Sequence, residues 1–263
     1  MYKNFEIIDF HTHPYIAIDE NICSFKTLVY PGRNMIEDLE TACIDIFCGS
    51  IISKPRQGET RWDTTKRCND IALQINNMYP DRYVPGYHIH PDFVNESCEE
   101  VKRMYDKGIK LIGELVPYCS DWSEGGDNFA AKGLFDILDY VNTFDNMVVN
   151  FHSTIAIPGT IEEMVKRYPN IIFVAAHPGQ APTFLEHIER MKKFENYCLD
   201  LSGTGIFRYG MIKAELKKLV TTDLFSVQTI PPAIPECLSE EFCMKIFLMK
   251  VKKKYFHLMQ KEY

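Results

Sequence analysis

The sequence has little of what marks a secreted, membrane-embedded or nucleic-acid-binding protein. It contains no CxxC pair: its nine cysteines (Cys23, Cys43, Cys48, Cys68, Cys98, Cys119, Cys198, Cys237 and Cys243) stand at irregular spacings, so neither a thiolate zinc site nor a disulfide framework is indicated. Most read as small core hydrophobes. No apolar run approaches the length that crosses a bilayer, and the N-terminus enters a strand with no basic segment and apolar stretch before it, so no membrane partner and a cytoplasmic location are expected. Basic charge is short too. The formal net charge is -7, and Lys and Arg are dispersed apart from the run Lys250 to Lys254, which leaves no surface for nucleic acid or an anionic membrane. Linkers and low-complexity segments are missing, and a hydrophobic share of 46% supports one well-filled core. A small-molecule substrate is the expected partner, with homo-oligomerisation left open.

What is present is an alternation of short apolar runs with longer amphipathic stretches, the pattern of repeated βα units around a parallel sheet. Strands are expected at 5–11, 43–49, 83–89, 109–115, 147–152, 171–176 and 197–201, and helices at about 61–79, 93–107, 132–145, 160–168, 181–195 and 208–220. Tyr79-Pro80, Tyr168-Pro169 and Gly108 stop several of the helices. The pattern implies a (β/α)8 barrel, with an eighth strand still to be located.

Barrel enzymes keep their chemistry at the C-terminal ends of the strands. There the first strand (Phe5, Ile7, Ile8, Phe10) runs into His11-Thr12-His13, and residues i and i+2 of a strand share a face, so both imidazoles can converge on one metal. Alone the pair is weak evidence, because histidines at a strand end are commonly ordinary loop residues. The same position is polar on other strands, however: His152 follows Met147-Val148-Val149-Asn150-Phe151, His177 follows Ile171 to Ala176, and Glu114 lies within Gly113-Glu114-Leu115. Packing does not account for four histidines and a carboxylate at four strand ends, whereas a metal site does.

His11-x-His13, Glu114, His152 and Ala176-His177-Pro178-Gly179, with Leu199-Asp200-Leu201-Ser202-Gly203-Thr204 at the seventh strand, resemble the amidohydrolase superfamily in its amidohydrolase-related branch, from residue 5 to about 223. The resemblance implies a distorted (β/α)8 barrel holding one or two divalent ions, usually zinc, and members that are mostly hydrolases with some decarboxylases. It makes His11, His13 and His152 ligands, and His177 a second ligand or a catalytic group polarising substrate or water. Glu114 then ligates or bridges, or bonds a ligand histidine from behind. A metal held by neutral imidazoles lowers the pKa of bound water and polarises a carbonyl. Hydrolysis of a small amide, ester or lactone is therefore expected, with decarboxylation of a small carboxylic acid as the alternative.

One element of the family pattern is missing. The branch carries Phe-Gly-Ser/Thr-Asp-Tyr-Pro at the eighth strand, its aspartate binding metal and acting as general base, and this chain reads Leu224-Phe225-Ser226-Val227-Gln228-Thr229-Ile230-Pro231-Pro232. Read one base earlier, codons for Ser226 to Pro231 can spell Phe-Gly-Ser-Asp-Tyr-Pro. The shifted frame of Met244-Lys245 and Met249-Lys250 must give Glu, and that of Met259-Gln260 must give Ala, after a Leu258-Met259 pair that can give the family's Asn. A one-base deletion near Asp223 to Phe225 accounts for this, a divergent tail being the alternative. On this reading residues 1–223 form the barrel domain, 224–263 are an aberrant tail, and the barrel lacks a proper eighth strand. Without the aspartate, a catalytically impaired metal-binding barrel is a further alternative.

Other residues carry weaker signals. His88 and His90 form a second HxH after the third strand whose spacing also suits a metal, but the family places no ligand there, so a substrate-facing role, assigned to His88, or a loop role is expected. Tyr118 and Arg208 lie just past the fourth and seventh strands, where a guanidinium could clamp a substrate carboxylate, although capping or surface pairing explains them equally. Trp62 and Trp122 line the mouth or simply pack.

Overall fold

β-Branched and aromatic side chains in runs of about five residues, cut by Gly and Pro, form the parallel strands of a (β/α) barrel. The computed structural model describes residues 7–15, 35–122, 129, 131–153, 159–177, 179, 181–200, 202 and 224–225. The strands are β1 (Ile8–Asp9), β2 (Ile46–Ser50), β3 (Tyr83–Tyr87), β4 (Leu111–Leu115), β5 (Val148–His152), β6 (Ile172–Ala176), β7 (Tyr197–Asp200) and β8 (Leu224–Phe225). They pair in sequence order, every neighbour parallel, from Ile8 opposite Ile46 to Leu199 opposite Leu224. The eighth strand is only two residues long, and among the described residues no pairing returns from it to β1.

Helices α2 (Arg61–Met78), α3 (Val94–Tyr105), α5 (Lys132–Val141), α6 (Thr160–Arg167) and α7 (Ala181–Lys193) fall within a few residues of the expected positions. The start of α2 is set by a capping box, in which the Thr60 hydroxyl accepts from the Asp63 amide while the Asp63 carboxylate accepts from the Thr60 amide. Two helices were not anticipated: α1 (Met35–Thr41) and the single turn α4 (Pro117–Ser120). The helix expected at 208–220 lies outside the described residues.

Alternation along the strands builds an inner and an outer apolar layer. Phe47, Val149, Phe151, Phe173, Tyr197 and Leu199 face outward onto the helices, and truncating a buried Phe here should cost about 3–5 kcal/mol. Their neighbours Ile46, Cys48, Leu111, Val148, Ile172, Val174 and Cys198 face inward with Phe10 and fill the barrel as an apolar plug. Further along three of these inward rows the residues become polar, at Ser50 on β2, at Asn150 and then His152 on β5, and at Asp200 on β7. The floor of the site is thus the apolar plug, and its walls are the next turn of the same strands. Gly113 is required just before Glu114: its φ is +95°, and an added Cβ would lie 2.1 Å from the Asn150 carbonyl oxygen.

Candidate metal centre

Just past β1, the Thr12 amide and hydroxyl both donate to the Cys48 carbonyl at 2.8 Å. This pins the residue between the two histidines to β2, and the flanking rings meet above the plug. Their Nε2 atoms lie 3.2 Å apart. His11 Nδ1 faces Asp200 Oδ2 at 2.9 Å, and His13 Nδ1 faces the Ser50 carbonyl at 2.9 Å. Each Nδ1 is therefore the protonated nitrogen, and each Nε2 points its reactive side at the other.

Glu114 lies at the centre of the cluster. Its Oε2 is 3.1 Å from His11 Nε2 and 3.3 Å from His13 Nε2, and its Oε1 is 2.8 Å from His152 Nδ1 and 3.2 Å from His177 Nε2. The ligand candidates on β1, β4, β5 and β6 thus occupy one buried spot, and suitable atoms of His11, Glu114 and His177 lie within 4.8 Å of one another. His177 Nδ1 donates to the Ser202 carbonyl at 3.1 Å, so its Nε2 is the nitrogen turned to the centre. His177 also adopts a left-handed backbone, φ +64°, a conformation that non-glycine residues adopt at a cost of about 1–3 kcal/mol and that clusters at functional sites.

Behind the imidazoles lies a layer that sequence reasoning had not assigned a role. Asp200, at the end of β7, accepts from His11 Nδ1 and from Asn150 Nδ2 at 3.0 Å through Oδ2, and from the Ser202 amide at 3.0 Å and the Ser202 hydroxyl through Oδ1. All four of its short contacts are donors, as an ionised carboxylate requires.

Charge in this space is tightly coupled. Burial alone would push the Glu114 carboxyl up, but the His11 charge and the bonds from His11, His13 and His152 hold it well below the usual carboxylate range. Burial likewise works against an ionised Asp200, and His11 overcomes it. Burial would lower His11, yet Glu114 and Asp200 raise it well above 6.5, and Glu114 raises His177 against the same burial term. The two carboxylates therefore demand a positive charge at the His11 Nε2 position. One proton can satisfy one of the lone pairs converging there. A divalent ion satisfies several together, and with every Nδ1 on His11, His13 and His177 already donating to a backbone or carboxylate oxygen, the donor set fits such an ion.

The remaining candidates separate. Tyr118 is half-exposed and stands edge-on to the His152 ring at 5.4 Å, at the mouth of the cluster. His88 is buried at the end of β3 and donates Nε2–H to the Ile51 carbonyl at 2.7 Å. His90 has both ring nitrogens used by its own surroundings, Nε2 by the Ser120 carbonyl and Nδ1 by the Asp92 amide, so the second HxH is not a metal pair. Trp122 is buried against Phe129, and Trp62 packs near Phe93. Cys48, Cys68 and Cys198 are buried, as expected of core cysteines. Arg208 lies outside the described residues.

Comparison with known proteins agrees with the barrel fold. The family model described as Amidohydrolase matches residues 8–240. An uncharacterised TIM-barrel protein from Bordetella bronchiseptica superposes with a TM-score of 0.65 at 15% identity, covering 98% of this chain and 100% of the other. 5-Carboxyvanillate decarboxylase from Novosphingobium aromaticivorans, crystallised with bound manganese, gives 0.62 at 14% identity over 97% and 98%. 2,6-Dihydroxybenzoate decarboxylase from Rhizobium gives 0.61 at 13% over 96% and 97%. No curated protein sequence matches. No helix among the described residues is long and apolar enough to cross a membrane.

Proposed function

This chain belongs to the amidohydrolase family and is an enzyme by descent, and from that premise we propose that it is a divalent-metal-dependent enzyme acting on a small carboxylic acid, with decarboxylation as its reaction. The observation that carries the metal dependence is the 3.2 Å approach of the His11 and His13 Nε2 atoms beside Glu114, each ring held from behind through Nδ1. His11, His13 and Glu114 would hold the ion, with His152 and His177 beside it; zinc and manganese both suit this set. When bound, the ion supplies positive charge to a substrate carboxylate or carbonyl.

The chain's own residues favour decarboxylation over hydrolysis. Hydrolysis needs a free base to take a proton from water, and both described carboxylates of the site are already committed to donors. His177 Nε2, by contrast, lies 3.2 Å from Glu114 Oε1, whose charge raises its pKa against burial, and we assign His177 the role of giving a proton to the substrate. As the bond to the carboxyl carbon breaks and CO2 leaves, the electron pair remaining on the substrate carbon takes that proton. Two solved decarboxylases with this fold support the reading. Hydrolysis of an ester, lactone or amide is the second reading, favoured by the membership of the family as a whole. In a third, the chain binds metal but turns over slowly for want of the eighth-strand aspartate.

The test is a paired screen of the purified chain with Mn2+ or Zn2+: CO2 release from aromatic and aliphatic carboxylic acids, and acid release from esters, lactones and amides. Chelator-sensitive CO2 release is expected. Chelator-sensitive acid release without CO2 would replace decarboxylation by hydrolysis, and stoichiometric metal with no turnover on either panel would establish the impaired barrel.

A further inference from the structure

His177 takes its left-handed backbone, φ +64°, immediately after the last residue of β6, where the chain leaves the sheet. The two carbonyls that flank its Cα, those of Ala176 and of His177 itself, both accept from the Ser153 hydroxyl, the second at 3.1 Å. Each carbonyl belongs to one of the two rigid peptide planes that meet at that Cα, so holding both fixes φ and ψ together. The direction in which the His177 side chain leaves the backbone is fixed with them. Ser153 reaches across from the neighbouring strand end: it follows His152, the residue of β5 that lies opposite Ala176.

Ser153 is itself backed by a buried pair that takes no part in the metal centre. His187 of α7 places Nε2 3.5 Å from Ser153 Oγ, a long contact, and Nδ1 2.6 Å from the Tyr197 hydroxyl, and all three side chains are buried. A carbonyl only accepts, so the one Ser153 proton is committed to Ala176 and His177, and a bond between Ser153 and His187 takes its proton from Nε2. Burial pushes the His187 pKa down to about 4, so near neutral pH the ring is uncharged and carries a single N–H. With that proton on Nε2, Nδ1 is the lone-pair nitrogen and accepts the Tyr197 O–H. Tyr197, His187, Ser153 and the two carbonyls thus form one chain of bonds running in one direction.

We propose that Ser153, backed by His187 and Tyr197, is a positioning residue for His177: it holds the backbone whose geometry turns His177 Nε2 toward Glu114, 3.2 Å from Oε1. It acts through His177, and the proposal rests on the assignment of His177 as the group that gives the substrate its proton.

Side-chain 15N NMR of the Zn2+-loaded full chain reads the ring protons. In the wild type His187 should carry its proton on Nε2, and His177 on Nδ1, where it bonds the Ser202 carbonyl. Ser153→Ala should move the His177 ring signals more than those of His11 or His13. Tyr197→Phe should release the His187 proton from Nε2 and move the His177 signals by less, and it decides alone if Ser153→Ala does not fold. His187 protonated on Nδ1 in the wild type, or His177 signals that stay in place in these variants, overturns the proposal. For the acid that the CO2 screen identifies, kcat should fall about 10- to 100-fold in Ser153→Ala with KM within about twofold. That loss should disappear in a His177→Asn background, because the serine acts through the histidine; a loss that persists there overturns the positioning role. A His177→Asn chain with the wild-type kcat removes the proton-giving role instead, and the ring signals then decide the positioning by themselves.

Discussion

Replacing Asp200 by asparagine keeps the side chain's shape and removes its charge, at a position where all four short contacts come from donors. An amide offers one acceptor oxygen and one NH2. If the NH2 turns toward Ser202, it meets the Ser202 amide N–H, which cannot become an acceptor. If it turns toward His11, it drives the His11 proton from Nδ1 to Nε2 and removes the lone pair that would face the metal. Either way one buried donor loses its partner, a cost of about 1–3 kcal/mol to the fold. The ligand ring loses the carboxylate that orients it, which typically lowers metal affinity about 10- to 100-fold, or about 1.4–2.7 kcal/mol. Chelator competition with Mn2+ measures the second quantity, and urea unfolding of the metal-stripped protein measures the first. An Asp200→Asn protein that binds Mn2+ within about twofold of wild type would refute the claim that Asp200 orients His11 as a ligand.

Further outcomes follow from the same geometry. Because Glu114 and Asp200 raise the pKa of His11, the ion must displace a proton, so Mn2+ affinity should climb by up to about tenfold per pH unit between about pH 6 and 8, with measurable proton release; a flat profile would contradict this. His187 is buried, its pKa lowered to about 4 by burial and the Arg190 charge, so the unfolded chain binds the proton first as pH falls. Its contribution to stability is complete above about pH 6.5 and is lost on descending to about pH 4, up to about 3 kcal/mol, and the urea midpoint of His187→Gln should show a correspondingly shallower acid dependence. Asn69→Leu removes the partner of the His88 amide and carbonyl and one of the two donors to Glu100 Oε1, which keeps Arg103, and should cost at least about 2 kcal/mol by the same unfolding assay. Resequencing the gene around Asp223 to Phe225 should reveal a second frame encoding Gly-Ser-Asp-Tyr-Pro; restoring it should raise turnover by orders of magnitude, and no such frame would sink the deletion proposal.

Much of the barrel was legible because its signal is local. Val148-Val149 and Ile171 to Ala176 announce strands by composition, and the change from apolar to polar two residues later marks the strand end at which chemistry sits. The histidines and Glu114 were legible as chemical types at those ends. Asp200, Asn150 and Ser202 were not assigned, because their role exists only across the barrel: Asp200 meets His11 189 positions away in sequence. No periodicity reports a contact of that separation. The difference between His88 and His90 was equally hidden, since it depends on which carbonyls happen to face each ring. Helix α1 escaped because seven residues with a single buried apolar position, Leu39, make no amphipathic pattern.

The metal centre itself is most directly tested by pulsed EPR of the full chain titrated with Mn2+. Stoichiometric binding with 14N couplings from imidazole, lost in the His11→Ala/His13→Ala double variant, is the predicted result. Mn2+ that binds without nitrogen coupling, or that binds the double variant equally well, would show that these histidines pack against Glu114 for some purpose other than holding a metal.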